Sequence, residues 1–174
     1  MANIEDSGER REFESGAVRD VAEGKGRCDL LPLGAVADYL RYTVDETDSH
    51  IRGWHTLTYL ELFSTKHDAS CREEIYFLYE ALMSFSDENQ WDAPTMLLEV
   101  SKHFEDGARK YGARNWEKGI PLHCYIDSAV RHYLKWWRGD TDERHDRAFC
   151  WNVLCCAWTF LNRPECNDLA GDAS

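Results

Sequence analysis

The sequence predicts an all-α protein of about five helices. Apolar residues recur at helical spacing, as in Ile75, Leu78, Tyr79 and Leu82, and again in Ile126, Val130, Leu134 and Trp137. Helix-ending residues fall where such stripes stop, at Gly112, Gly139 and Pro164. No stretch alternates apolar and polar residues convincingly enough for a strand ladder. With 174 residues, 43% apolar content and seven Trp, the chain has material for one real core. A single domain is expected over residues 14–162, between a charged mobile tail at 1–13 and a loose tail at 163–174.

Residues 14–29 read as a loop, because glycines and charges interrupt every apolar pattern. They do not form a Walker A loop, since no Gly-Lys-Ser/Thr has the required offset. Pro32 suits the first turn of a helix that Leu33, Val36, Ala37 and Leu40 carry to about Tyr42. Between Thr43 and Ala69 the pattern is weak, although Trp54, Leu57, Tyr59, Leu60, Leu62 and Phe63 suffice for a short helix. Ser70-Cys-Arg-Glu73 has capping-box form and introduces a helix to about Phe85, followed by a polar break at 86–90. Pro94 opens the next helix, which carries Met96, Leu97, Val100 and Phe104 and ends at Gly112. A helix from about Leu122 to Arg138 follows, stopped by Gly139. The last runs from about Asp142 to Leu161, its start marked by Asp140-Thr-Asp-Glu143. It is apolar nearly all round from Ala148, which predicts a central buried helix.

Thirty-two acidic against 20 basic residues give a net charge of −12, which argues against binding polymeric nucleic acid. Nucleotides stay possible, because a bound divalent ion reverses the local sign. No apolar run nears the roughly 20 residues of a membrane span. The opening Met-Ala-Asn-Ile-Glu-Asp lacks a signal-peptide pattern. Seven cysteines, an odd number without a Cys-x-x-Cys pair, imply a reducing compartment and no disulfide framework. His123, Cys124, His132, His145 and Cys150 could be imagined as a zinc site, but their spacings fit no closed structural one.

Two regions could carry chemistry. Arg109, Lys110, Arg114 and Lys118 crowd the turn around Gly112 and Gly119, a cationic turn on an acidic protein that suits phosphate. Asn115 and Trp116 add an amide and a ring that could meet a base, or else a connector with Trp116 in the core. The last two helices form a hairpin at Gly139, where Asp140, Asp142, Glu143, His145 and Asp146 gather. Asp127 and Arg131 lie on the helix feeding it, and Glu105 and Asp106 on the helix before. Such carboxylates suit Mg²⁺ or Mn²⁺, although Asp127 could simply pair with Arg131 at i,i+4. Asn152 interrupts an apolar helix, and a buried amide there must find a hydrogen-bond partner.

Gly16-Ala-Val-Arg-Asp, Gly26-Arg-Cys-Asp-Leu-Leu-Pro32, Gly107-Ala-Arg-Lys-Tyr-Gly112, Asn115-Trp-Glu-Lys-Gly119, Asp127-Ser-Ala-Val-Arg-His132 and Trp151-Asn152 occur in this order. Together they resemble the phage dATP/dGTP diphosphohydrolases, the MazZ branch of the MazG-like all-α nucleotide pyrophosphohydrolases. The resemblance covers about residues 14–43 and 100–160, and residues 44–95 look like a helical insertion. It implies a MazG-like helical bundle, usually a dimer or tetramer, in the cytoplasm of an infected host cell. It implies cleavage of dGTP, possibly dATP, to the monophosphate and pyrophosphate with more than one Mg²⁺ or Mn²⁺ ion, supplying dGMP for 2-aminoadenine nucleotide synthesis. The MazG pattern of Glu-Glu-x-x-Glu and then Glu-x-x-Asp is not reproduced; Asp127 and Asn152 stand near the corresponding places.

On this resemblance the expected ligands are Glu105, Asp127, Asp142 and Glu143, with Asp127 and Glu105 as catalytic carboxylates. Arg27, Lys110, Lys118 and Arg131 would contact phosphates, Asn115 and Trp116 the sugar or base, and Asn152 would face the site. The competing expectations are a non-catalytic nucleotide- or host-protein-binding phage protein, and a triphosphohydrolase using His145-Asp146.

Overall fold

The structure, a computed structural model, describes residues 10–20, 53–65 and 74–169. Within them the protein is mostly helical. The α-helices are α1 (Gly53–Thr65), α2 (Ile75–Glu88), α3 (Ala93–Tyr111), α4 (Leu122–Arg138) and α5 (His145–Asn162). Short 3₁₀ turns occupy Asn115–Lys118 and Pro164–Cys166. The helix expected from Pro32 to Tyr42, Arg27 and the capping box at Ser70–Glu73 lie outside the described residues. Among the described residues, no helix is long and apolar enough to cross a membrane.

The core is built around α5. Its Phe149, Cys150, Val153, Cys155, Cys156 and Phe160 are all buried, as its all-round apolar composition requires. α4 runs antiparallel beside it and buries Leu122, Tyr125, Ile126, Ala129, Val130 and Tyr133. α1 and α2 pack as a pair on one side. Phe63 meets Phe160 edge-on at 5.3 Å, and Phe85 lies 4.4 Å from Phe149 and 4.9 Å from Trp136. α3 covers another side through Met96 and Val100, and Arg147 of α5 reaches its Glu99 with Nε at 2.8 Å. Two residues expected in apolar stripes, Tyr79 and Leu97, face solvent instead. Ile75, Leu78, Ala81, Leu82 and Phe85 already fill the buried face of α2, and Met96 and Val100 that of α3.

Element ends follow local chemistry with two exceptions. Asp92 caps α3 by accepting from the Thr95 amide at 2.8 Å. Gly112 and Gly139 take the positive φ, +89° and +82°, that lets the chain leave α3 and α4. α2, however, continues through the polar Ser86-Asp-Glu88. Tertiary partners take up that polarity: Ser86 Oγ donates to Met96 Sδ at 3.2 Å. Glu88 accepts from Thr56 Oγ1 at 2.7 Å and from the Tyr133 hydroxyl at 2.9 Å. α5 starts at His145, not at Asp142, because the Asp142 and Glu143 side chains turn to Lys135, His132 and His145 and do not cap the helix.

A two-stranded antiparallel hairpin, β1 (Arg10–Glu12) with β2 (Val18–Asp20), had no counterpart in the sequence reading. Gly16 turns it at φ +76°, and the Phe13 amide donates to the Ala17 carbonyl at 2.9 Å. Its outer edge is held by a side chain. Asn115 Nδ2 donates to the Val18 carbonyl at 3.0 Å, and its Oδ1 accepts from the Val18 amide at 3.3 Å. An amide side chain thus stands where a third strand would, a pairing that strand patterns cannot reveal.

Both expected tails carry order where they are described. The 3₁₀ turn at Pro164–Cys166 packs against Gly119, where a Cβ would come 2.7 Å from Cys166 Sγ. Asp168 then caps α4 from outside the helix. Its Oδ1 accepts from the His123 amide at 3.1 Å, and its other oxygen pairs with His123 Nδ1. Pro121 at the N-cap has no side chain for this task. The bond to Asp168, aided by contact with Cys124 Sγ, raises the His123 pKa to about 10. The His123 value lies above the ordinary 6.5 and that of Asp168 below its ordinary 3.8, so this pair stabilises the fold fully between those two values. It loses its effect as pH rises through about 10 or falls through the lowered Asp168 value. Asp168→Ala is therefore expected to destabilise most between pH 3.8 and pH 6.5, and the deficit should shrink toward the cap contribution of about 1 kcal/mol above pH 10. Urea unfolding of both proteins across that range checks this; a pH-independent deficit would reduce Asp168 to a neutral cap.

Candidate metal and substrate site

The turn at Gly139 brings the end of α4 against the start of α5. The Asp140 amide donates to the Lys135 carbonyl at 3.0 Å and closes that end of α4. His132, seven residues before Gly139, then meets His145, six residues after it. Their Nδ1 atoms are 3.0 Å apart and their rings are tilted by 33°. Glu143 Oε1 lies 2.9 Å from His132 Nδ1 and 3.5 Å from His145 Nδ1. His145 Nε2 bonds Asp142 Oδ1 at 2.7 Å, and Lys135 Nζ holds the other oxygen of Asp142 at 2.8 Å.

The electrostatics of this cluster favour ionised carboxylates. Burial works against ionising Glu143, but the hydrogen bond from His132 and the nearby histidines outweigh it and hold its pKa at about 2. Hydrogen bonds from Lys135 and then His145 keep Asp142 well below the usual carboxylate range. Burial pushes His132 down. It also pushes His103 of α3 down to about 4, and that ring senses the charges of both His132 and Glu143. Among the described residues, two groups of three ligand-bearing side chains are close enough to share an ion: His132, Glu143 and His145, or Asp140, Asp142 and His145. Asp146 is in neither group. Its carboxylate is held by Arg144, with Nε at 3.0 Å, so His145 and Asp146 do not converge as a ligand pair among the described residues.

Further along the same hairpin, Arg19 of β2 crosses both helices. Its Nη1 donates to the Cys124 carbonyl at 3.0 Å, and its Nη2 donates to Ser128 Oγ at 3.1 Å and Asn152 Oδ1 at 2.8 Å. The guanidinium lies 5.3 Å from the Tyr125 ring centre and 6.0 Å from that of Trp151. Asn152 completes its own bonding by donating to the Ala148 carbonyl at 2.8 Å. It is the buried amide that α5 required, and its partner comes from the N-terminal hairpin.

The structure scatters the other expected site residues. Asp127 pairs with Arg131 one turn on, as the spacing suggested, and is buried. Glu105 is exposed and pairs with Arg109. Neither Glu105 nor Asp127 belongs to a metal-capable group among the described residues. Lys110 Nζ lies 5.2 Å from the centre of the Tyr111 ring, and Lys118 is exposed. Asn115 and Trp116 are both engaged in packing, Asn115 buried and Trp116 half-buried. Asn115 holds β2, and Trp116 lies edge-on to Trp158 at 4.9 Å and to Phe104 at 5.8 Å. Arg19 is not among the site residues expected from the sequence. His132 and His145 stand among the five residues imagined for a zinc site, and the structure brings these two together. Their near-symmetric placing about Gly139 is the sequence signal for that pairing.

Asn152→Ala removes an acceptor from a charged donor, which should cost about 1.5–3 kcal/mol. Urea unfolding measures it, and a loss below about 0.5 kcal/mol would mean that Arg19 finds water equally well. No curated protein and no solved structure matches the chain. The family model described as dATP/dGTP diphosphohydrolase, N-terminal, matches residues 81–169, a span that takes in the end of α2 and all of α3, α4 and α5. With just over half of its length matched, and that half containing the paired histidines, Asp127-Arg131 and Asn152, the chain belongs to this dATP/dGTP diphosphohydrolase N-terminal family.

Proposed function

We propose that the protein hydrolyses a purine deoxynucleoside triphosphate, dGTP before dATP, to the monophosphate and pyrophosphate in a divalent-metal-dependent reaction. The family match over residues 81–169 is the observation that carries this reading. The metal-capable side chains at the α4–α5 joint support it. In the reaction, water oxygen bonds to the α-phosphorus while the bond from that phosphorus to the bridging oxygen breaks. Pyrophosphate leaves, and the water proton passes to a carboxylate. When bound, a divalent ion supplies charge neutralisation of the phosphate oxygens and a more acidic water.

The chain itself must meet a polyanion despite a net charge of −12. Arg131, Lys110, Lys118 and Arg27 are the proposed phosphate contacts. Arg131 is the one that lies on α4 beside a carboxylate of interest. A phosphate that draws Arg131 toward itself would loosen its pair with Asp127, the carboxylate proposed to take the proton. Glu143 and Asp142, already ionised, are the proposed carboxylates nearest the ion, and Glu105 on α3 is a more distant one. The product dGMP would feed the synthesis of a 2-aminoadenine nucleotide, and a homo-oligomer is the proposed working form.

Incubation with dGTP or dATP and Mn²⁺ or Mg²⁺, followed by anion-exchange separation of the products, tests the reading. Monophosphate with pyrophosphate is expected, and none in excess EDTA. Nucleoside with tripolyphosphate, or no turnover with any ion, overturns it. Asp127→Asn, which keeps shape while removing charge, should lower kcat by about 100-fold or more. Asp127→Ala is the poorer variant, since leaving Arg131 without its buried partner could cost about 3–5 kcal/mol. Unchanged kinetics in Asp127→Asn would confine Asp127 to its pair with Arg131. Lys110→Ala should weaken dGTP by about tenfold to a hundredfold and leave deoxyguanosine untouched, as read by titration with Ca²⁺ in place of the catalytic ion.

A further inference from the structure

Three atoms at the α4–α5 joint face one another. The edges of their triangle are 3.0 Å between His132 Nδ1 and His145 Nδ1, 2.9 Å from His132 Nδ1 to Glu143 Oε1, and 3.5 Å from His145 Nδ1 to Glu143 Oε1. An ion about 2.0–2.1 Å from each of its donors holds neighbouring donors about 2.9 Å apart at right angles and about 3.4 Å apart at the tetrahedral angle. The observed edges run across that range.

His145 is fully enclosed, and its Nε2 bonds Asp142 Oδ1 at 2.7 Å, which makes Nδ1 its nitrogen for a ligand bond. That Nδ1 lies 3.0 Å from His132 Nδ1 and 3.5 Å from Glu143 Oε1. Two imidazole nitrogens and a carboxylate oxygen this close together form a donor set for a cation. Asp142 supplies the outer bond that fixes ring orientation and raises ligand basicity in carboxylate–histidine–metal arrangements, and Lys135 holds Asp142 in turn.

We propose that His132, His145 and Glu143 form a mononuclear centre for a transition-series divalent ion, held through two imidazole nitrogens and one carboxylate oxygen. Imidazole suits Zn²⁺ and Fe²⁺, whereas Mg²⁺ demands oxygen and gives up water reluctantly. Three protein ligands leave positions open for water or a phosphate oxygen, as in catalytic rather than structural sites. Of the four expected carboxylate ligands, Glu143 stays in contact with the ion and Asp142 becomes the residue that orients His145. Only the use of this ion in dGTP hydrolysis rests on the function proposed above.

The test is titration of the full chain, stripped by chelator and dialysed, with Co²⁺, whose visible absorption intensifies when nitrogen ligands replace water. One Co²⁺ per chain is expected, displaced by an equivalent of Zn²⁺ and unaffected by about a hundredfold excess of Mg²⁺. Asp142→Asn should weaken the affinity by about tenfold to a hundredfold. His132→Gln and Glu143→Gln should abolish the intensified absorption while circular dichroism stays that of the parent. His145→Ala is secondary, because removing an enclosed ring could unfold the start of α5. No Co²⁺ uptake, displacement by Mg²⁺, or a spectrum unchanged in both His132→Gln and Glu143→Gln would overturn the centre. Pyrophosphate release, followed on the same samples, separates the two readings: an ion bound as described without turnover sinks the function and leaves the centre standing.

Discussion

α5 has no face that can be left in water. From Ala148 to Phe160 its apolar side chains point in every direction, and burial at about 25 cal/mol per Å² makes exposure of any side costly. The other described elements are arranged to satisfy that demand. α4 lies along it because a short turn at Gly139 makes antiparallel packing the cheapest cover. α1 and α2 cover it with Phe63 and Phe85, α3 with Met96 and Val100, and the turn at Pro164–Cys166 follows its C-terminus.

Within that apolar shell, a few polar groups set which element goes where. Glu88 of α2 accepts from both Thr56 of α1 and Tyr133 of α4, tying three helices through one carboxylate. Asn115 grips Val18 by both backbone groups, and Arg19 on the adjoining residue reaches Cys124, Ser128 and Asn152. Burial of any of these without its partners would cost several times what a single exposed hydrogen bond contributes. The N-terminal hairpin is thereby registered on the α4–α5 surface, with Arg19 lying over Tyr125 and Trp151.

The joint is where this apolar logic gives way to chemistry. α5 needs cover along its length, but its first turn meets the last turns of α4, where the apolar stripe runs out. There the joint presents His132 and His145 on the two helices and Asp142 and Glu143 on the turn between them, with Lys135 and Arg131 alongside. Rigid helices hold the histidines and flank that turn, which suits a site that must meet an ion or a polyphosphate. The family match spans the same helices that form the joint, so fold and proposed chemistry share one piece of architecture.

Much of the fold was legible in the chain because helix formation is a local matter. The stripe through Ile126 and Val130, the cap at Asp92, and the stops at Gly112 and Gly139 depend on neighbours within a turn or two. The pairing of Asp127 with Arg131 was readable for the same reason, since both sit on one helix face. The gathering of acids at the hairpin was visible too, and it holds for Asp142 and Glu143. Tertiary contacts alone decided the rest. Whether Asn115 meets a base or a strand, whether Asp142 caps a helix or steadies a histidine, and which rings face each other across Gly139 depend on partners distant in sequence. A helical period shows which residues share a face; only the register between two packed helices shows what that face meets, and that register is set here by burying α5.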